Sequence, residues 1–238
     1  MGPMDFDVLP GPSLPELART ALARAAAATV SDVGCLADAA PAGKVPVRAA
    51  RDGSPLLLPT AGSPLERWLA AGPEPVTVCV PAGRPFSALR LTGTSQLAAR
   101  DTAAGITACM VAVRSVEFAN PGTRQVPVEE YRAAVPDPLW RIAPAVLRHL
   151  EHGHMPELIG CVRAHGMTQA EWVIPRGLDR YGLELLVLTP GGTAAIRLSF
   201  PSGPVASLQE VPVSIRTVLT CRCRPGPGHH RARPAVGE

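Results

Sequence analysis

Aromatic residues are scarce: three Trp, two Tyr and four Phe in 238 positions. A core for this chain must therefore come from Val, Leu and Ala, packed through many small contacts. Lysine is scarcer still, since Lys44 is the only one among 23 basic residues and the rest are arginines. No apolar run is long enough to span a bilayer, so no membrane partner is expected. The opening MGPMDFDVLPGPS is acidic where a secretory leader has a basic n-region and an apolar h-region. Six cysteines, at 35, 79, 109, 161, 221 and 223, show no framework spacing. A chain of this length needs no disulfides to hold a core. These features are read as a cytoplasmic protein with reduced thiols. Gly-rich phosphate loops, a nucleophile elbow and HExxH are also missing, which removes the common nucleotide, hydrolase and zinc-protease signatures.

The formal charge of +3 is concentrated at one end. From Cys221 onward there are four arginines and one acid, which leaves 19 basic against 19 acidic residues elsewhere. A neutral body with few aromatics does not provide a nucleic-acid surface. With 22 Gly and 27 Pro, the chain is punctuated into short elements.

Ser13 with Glu16 is a capping box, and the alanine-rich stretch after it predicts a helix over 15–27. Thr29 to Val33 reads as β. Asp52-Gly53 between KVPVRAAR and SPLLL is the strongest hairpin signal in the chain. Ser63-Pro64-x-Glu66 starts a short helix that ends before Gly72. Strands follow at 76–80, 89–96 and 107–118, the last open to a bulge. Short strands at close intervals indicate an antiparallel barrel or sandwich. A brief helix at 128–134 and Pro136-Asp137-Pro138 mark a boundary. Beyond it the spacing predicts helices over 142–151 and 155–164, strands at 172–174, 183–188 and 194–200, and a helix over 207–219 weakened by Pro212. The expected division is an N-terminal disordered segment 1–14, a barrel domain 15–136, a small α+β domain 137–223 and a disordered tail 224–238.

Four of the six histidines fall in the stretch 142–166. His149, His152 and His154 would not share a face on a continuous helix, but a break at Gly153 brings His149 and His154 together. Neutral imidazole coordinates haem iron or zinc. The competing reading is one capping or core histidine and two surface ones, because helix ends favour His. Cys221 and Cys223, followed by His229-His230, form a candidate metal cluster, although CxC is not the CxxC knuckle of zinc ribbons. Cys161, among apolar helix positions, reads as a core residue. Asp179-Arg180-Tyr181-Gly182 reads as an Asp-capped turn with Gly at positive φ.

The order of VPVRAARDGSPLLL, SPLERWL, VTVCV and LRLTGTSQLAARD resembles the split barrel of pyridoxamine-phosphate-oxidase-like flavoproteins. VEEYRAAVPDPL, HLEHGHMPEL, LDRYGLELLV and IRLSFPSGPV resemble the small domain that follows such barrels. That domain occurs in HugZ-type haem-degrading proteins, in the chloroplast glutamyl-tRNA-reductase-binding protein and in actinobacterial proteins of unassigned role. The resemblance covers roughly residues 17–223. It implies an α+β protein: a split antiparallel β-barrel of the FMN-binding type followed by a small α+β domain. It also implies a homodimer with any cofactor at the dimer groove. In the family segment His–x–Asn–x–Asp–His, the two histidine places are His149 and His154, with Glu151 in place of Asn and Gly153 in place of Asp. For flavin phosphate, Ser63 and Arg67 are the matching residues, and FMN is not expected to be retained.

The resulting expectation is a protein that binds haem or a related tetrapyrrole through His149 or His154. It acts in haem handling or regulation, with a tetrapyrrole-pathway protein as a candidate partner. The alternatives are a haem-degrading or flavin-dependent oxidoreductase of the same fold, and a ligand-free dimeric interaction module.

Overall fold

The capping box at Ser13 forms as expected: the Glu16 amide donates to Ser13 Oγ, and the Glu16 carboxylate accepts from the Ser13 amide at 2.8 Å. It starts α1, Leu14–Arg24, which buries Ala18, Ala21 and Leu22. The computed structural model describes residues 11–32, 43–72, 75–83, 86–101, 105–119, 122–220 and 233–234. The chain divides into two compact units, one over Ser13–Pro136 and one containing Asp137 onward.

In the first unit α1 stops at Arg24, three residues short of the predicted end. Ala25 is already extended, and β1 (Ala27–Asp32) is taken up by pairing with β2 (Gly43–Ala49) and β4 (Val76–Pro81). The helix propensity of alanine is a weak preference that a sheet ladder overrides. The remaining elements are β3 (Pro55–Leu57), α2 (Pro64–Ala70), β5 (Ala88–Asp101), β6 (Ile106–Ala119), β7 (Arg124–Val126) and α3 (Val128–Ala133). The sheet runs β3-β2-β1-β4-β5-β6-β7, and β3 also pairs with β6. Strands β1 to β6 thus close into a six-stranded antiparallel barrel, with β7 added outside. Alternation fills the interior with Val30, Val45, Val47, Val78, Leu91 and Phe118. The bulge expected in the long strand is found: Thr92 pairs with Ser115 and Gly93 with Val113, which leaves Arg114 as the extra residue. Gly93 is required there, since a Cβ would lie 2.0 Å from the Ala112 carbonyl oxygen.

The Asp52-Gly53 turn is gripped from outside. Tyr131 of α3 donates its hydroxyl hydrogen to the Gly53 carbonyl at 2.6 Å, and Arg19 of α1 donates to the Arg51 carbonyl at 2.5 Å. Arg19 is buried, 4% exposed, with its guanidinium 5.4 Å from the Tyr131 ring centroid.

The second unit contains α4 (Ala143–Gly153), α5 (Met155–Ala164), β8 (Trp172–Asp179), β9 (Gly182–Thr189), β10 (Gly192–Ser199), a 3-10 turn at Leu208–Glu210, α6 (Val211–Thr220) and β11 (Arg233–Pro234). Its sheet is ordered β11-β10-β9-β8. Strand β8 continues past Pro175, where the sequence reading ended it. It is an edge strand, and the register shifts between Pro175 and Gly177, so the missing N–H is tolerated. Pro212 sits in the first turn of α6, where proline starts a helix rather than weakening it. Residues Arg233 and Pro234, placed in the tail by sequence, pair with Ala195 and Ala194 on the open edge of β10. Gly182 has no positive φ; what it supplies is space, since a Cβ would lie 2.2 Å from the Leu198 carbonyl oxygen.

Two substitutions separate backbone cost from contact cost. Gly53 (φ 87°) and Gly62 (φ 74°) are both left-handed, but a Cβ on Gly53 would lie 2.1 Å from Arg19 Nη1, while one on Gly62 meets nothing. Gly62→Ala should cost about 1 kcal/mol and Gly53→Ala at least about 2 kcal/mol more, read from urea midpoints. Equal losses would contradict the grip on this turn.

Candidate functional site

The chemistry-bearing groups converge where α4 meets α5. Helix α4 carries Pro144 in its first turn and ends at Gly153. Helix α5 starts at Met155, with Pro156 in its first turn. His154 alone separates them, acting as C-cap of one helix and N-cap of the next, with φ −133° and ψ 26°. Its amide donates to the Leu150 carbonyl at 3.0 Å, and its carbonyl accepts from the Leu158 amide at 3.0 Å. One residue thus serves both helix ends while redirecting the chain.

That change of direction brings two imidazoles together. On an unbroken helix, positions 149 and 154 would lie roughly 140° apart around the axis. Here the Nε2 atoms of His149 and His154 are 3.2 Å apart, with ring centroids 4.9 Å apart and planes inclined by 70°. One Nε2 carries the hydrogen and the other accepts it. His154 Nδ1 lies 4.0 Å from Glu157 Oε1, a carboxylate on the next turn.

Both histidines line a groove of about 460 Å³. Val146 and Leu150 of α4 and Val211, Ile215 and Leu219 of α6 give it apolar walls. Arg216 lines it as well, and has no acidic partner among the described residues. Concave, mostly apolar walls with a few convergent polar groups are the usual form of a small-molecule site. Sequence reasoning missed the α6 wall, although Val211, Ile215 and Leu219 recur at i, i+4, i+8.

The other candidates are placed elsewhere. His152 Nδ1 is 2.7 Å from the Arg148 carbonyl oxygen, and His165 Nδ1 is 2.8 Å from that of Cys161, so both serve their own helices. Ser63 Oγ accepts from the Glu66 amide at 3.1 Å, capping α2, and Arg67 donates to the Gly62 carbonyl at 2.7 Å. The two flavin-phosphate candidates are thus both engaged in the start of one short helix. Cys221 and Cys223 lie outside the described residues. Among the described residues, no group of three or more His, Cys, Asp or Glu side chains is placed to hold a metal ion. Among them also, no helix is long and apolar enough to cross a membrane.

Cys161 is no nucleophile. Its thiol is buried, donates to the Val218 carbonyl at 3.3 Å, and is pushed up to about 11 by burial.

No protein-family model and no curated protein matches the chain. Solved structures do. One is the structure of a haem-binding protein from Mycobacterium smegmatis: TM-score 0.63 and 22% identity, covering 88% of this chain and 97% of that one. Another, a protein of unknown function from Agrobacterium tumefaciens, has a TM-score of 0.40 and 14% identity over 87% of this chain and 95% of that one. The second is too distant to carry an argument. The first establishes the fold: an α+β protein built on a closed antiparallel barrel.

Iodoacetamide at pH 8 should leave Cys161 unmodified in the native protein and label it once urea unfolds the chain, as read by peptide mass mapping. Rapid native labelling of Cys161 would reopen it as a reactive thiol.

Proposed function

We propose that the protein binds haem or a related tetrapyrrole in the groove between α4, α5 and α6, through His149 or His154, and acts in haem handling or its regulation. The observation that carries this reading is the imidazole pair on the wall of an apolar groove. Apolar walls suit the faces of a porphyrin, an imidazole nitrogen suits its iron, and Arg216 suits a carboxylate substituent. The donor set therefore fits the group. When bound, haem would supply a redox-active iron whose behaviour the imidazole that holds it would tune.

The residues of the chain do the rest. The Nε2 atoms lie 3.2 Å apart on one wall, so one of the two imidazoles would hold the iron and the other would stay beside it as a hydrogen-bond donor. Glu157, whose Oε1 lies 4.0 Å from His154 Nδ1, places a carboxylate on that side of the imidazole. Val146, Leu150, Ile215 and Leu219, which line the groove, would keep water from a bound ring.

Two further considerations support the reading. The likeness to the Mycobacterium smegmatis haem-binding protein is one, and the resemblance of HLEHGHMPEL to the segment of HugZ-type proteins is the other. Flavin catalysis is disfavoured by Ser63 and Arg67, whose polar atoms already cap and brace α2. A homodimer of pyridoxamine-phosphate-oxidase-like barrels belongs to the same proposal.

Haem titration of the purified protein, followed by absorbance, tests it. The wild type should give a saturable Soret shift. Either His149→Ala or His154→Ala should weaken it at least about tenfold, the loss expected for a ligand or its direct partner. His152→Ala should behave as wild type. A Soret shift indifferent to both changes, or none at all, would overturn the proposal.

A further inference from the structure

A second groove, of about 610 Å³, lies on the outer wall of the barrel unit. Strand alternation builds it. Ala28, Val30, Val45, Val78 and Leu89 point inward and are buried, so Thr29, Lys44, Cys79 and Arg90 point outward. Thr29 is the direct partner of Lys44 on β2 and of Cys79 on β4, and Cys79 is the partner of Arg90 on β5. These four side chains therefore form one row across neighbouring strands spaced about 4.8 Å apart. The last turn of α1 contributes Arg24; Ala25, Ala26 and Ala27 form a low wall, and Pro81 with Ala82 closes the far side.

Among the described residues, the charges lining this groove are of one sign: Arg24 and Lys44 line it, and no described Asp or Glu does. Arg90, next in the row, is already paired with Glu117 at 3.2 Å. Arg24 and Lys44 have no acidic partner among the described residues. Lys44 is also the only lysine in the chain, placed on a strand whose other outward positions face open solvent. An apolar hollow with two unneutralised cations attracts a molecule that is anionic at one end and apolar along its body.

We propose that this groove binds a small amphipathic anion, with a carboxylate or phosphate head held by Lys44 and Arg24 and an apolar body laid over the alanine wall. The described residues of this groove all belong to the barrel unit, whereas those of the imidazole groove belong to the other. Cys79 is a reporter and not a reagent: burial pushes its thiol up, with Arg90 opposing that shift. A ligand lying in the groove covers the thiol.

Calorimetric titration with decanoate and with decyl phosphate tests the assignment, with decan-1-ol and inorganic phosphate as controls. At least one of the two amphipathic anions should bind saturably at one site, and comparing them identifies the head group. Shortening the chain from decanoate to hexanoate should weaken binding by about two- to fourfold per methylene. Lys44→Gln and Arg24→Gln should each weaken it by roughly fivefold, the upper range for a partly exposed charge pair. Ala27→Leu, which fills the hollow without changing charge, should abolish it while circular dichroism confirms the fold. In a Cys35→Ser, Cys221→Ser, Cys223→Ser background, the ligand should also slow alkylation of Cys79. Four results would overturn the proposal: no saturable binding by either anion, equal binding of inorganic phosphate, no dependence on chain length, or indifference to both cation substitutions. None of them bears on the haem titration, whose residues lie in the other unit.

Discussion

Barrel closure rests on three residues. Strand β3, Pro55–Leu57, joins β2 on one side and β6 on the other, and without it the sheet has two open edges. Such a short strand contributes few ladder bonds, so the turn that feeds it must be held by other means. Tyr131 and Arg19 do this from helices that follow and precede most of the barrel in sequence. They fix the carbonyls of Gly53 and Arg51 and leave no room for a side chain at residue 53. Burying Arg19 carries a desolvation cost, and the aromatic face of Tyr131 offsets part of it. Closure fixes which residues face out, and so places the Lys44–Thr29–Cys79 row on the outer wall.

The second unit depends on a different constraint. A single non-helical residue separates α4 from α5, so the last carbonyls of one helix and the first amides of the next compete for little space. His154 resolves this with its backbone, which leaves its ring free to meet that of His149. Gly153 is the last residue of α4, and a Cβ there would come within 3.9 Å of the His149 ring, an ordinary contact, so the position does not demand glycine. The pair thus follows from helix-end chemistry, and α6 supplies the apolar wall that gives it a groove.

Much of this was legible in the sequence, for local reasons. The Ser13–Glu16 box, the Ser63–Pro64 start and the Asp52-Gly53 turn are set by neighbouring residues, and each is found; the helix break expected at Gly153 falls one residue later, at His154. The meeting of His149 and His154 was legible too, because it needs only two helices and a break. What escaped depended on distant partners. The early end of α1 is imposed by β2 and β4. Strand β8 passes Pro175 because it lies at an edge, and β7 and β11 are too short to show any period. Arg216 and the i, i+4, i+8 face of α6 lie some sixty residues from the histidines they accompany, and nothing local links them. In the barrel, Ser63 and Arg67 carry the residue types of a phosphate site, yet their atoms are engaged in starting α2.

The central claim is that one imidazole of a hydrogen-bonded pair is a tetrapyrrole ligand. Nitrogen-15 NMR of histidine-labelled protein, with diamagnetic zinc protoporphyrin added in steps, tests it most directly. The account predicts a large displacement of one Nε2 resonance, that of His149 or His154, with loss of the bond between them and no change at His152 or His165. Signals of both members of the pair left in place at saturation, or displacement confined to other histidines, would contradict it.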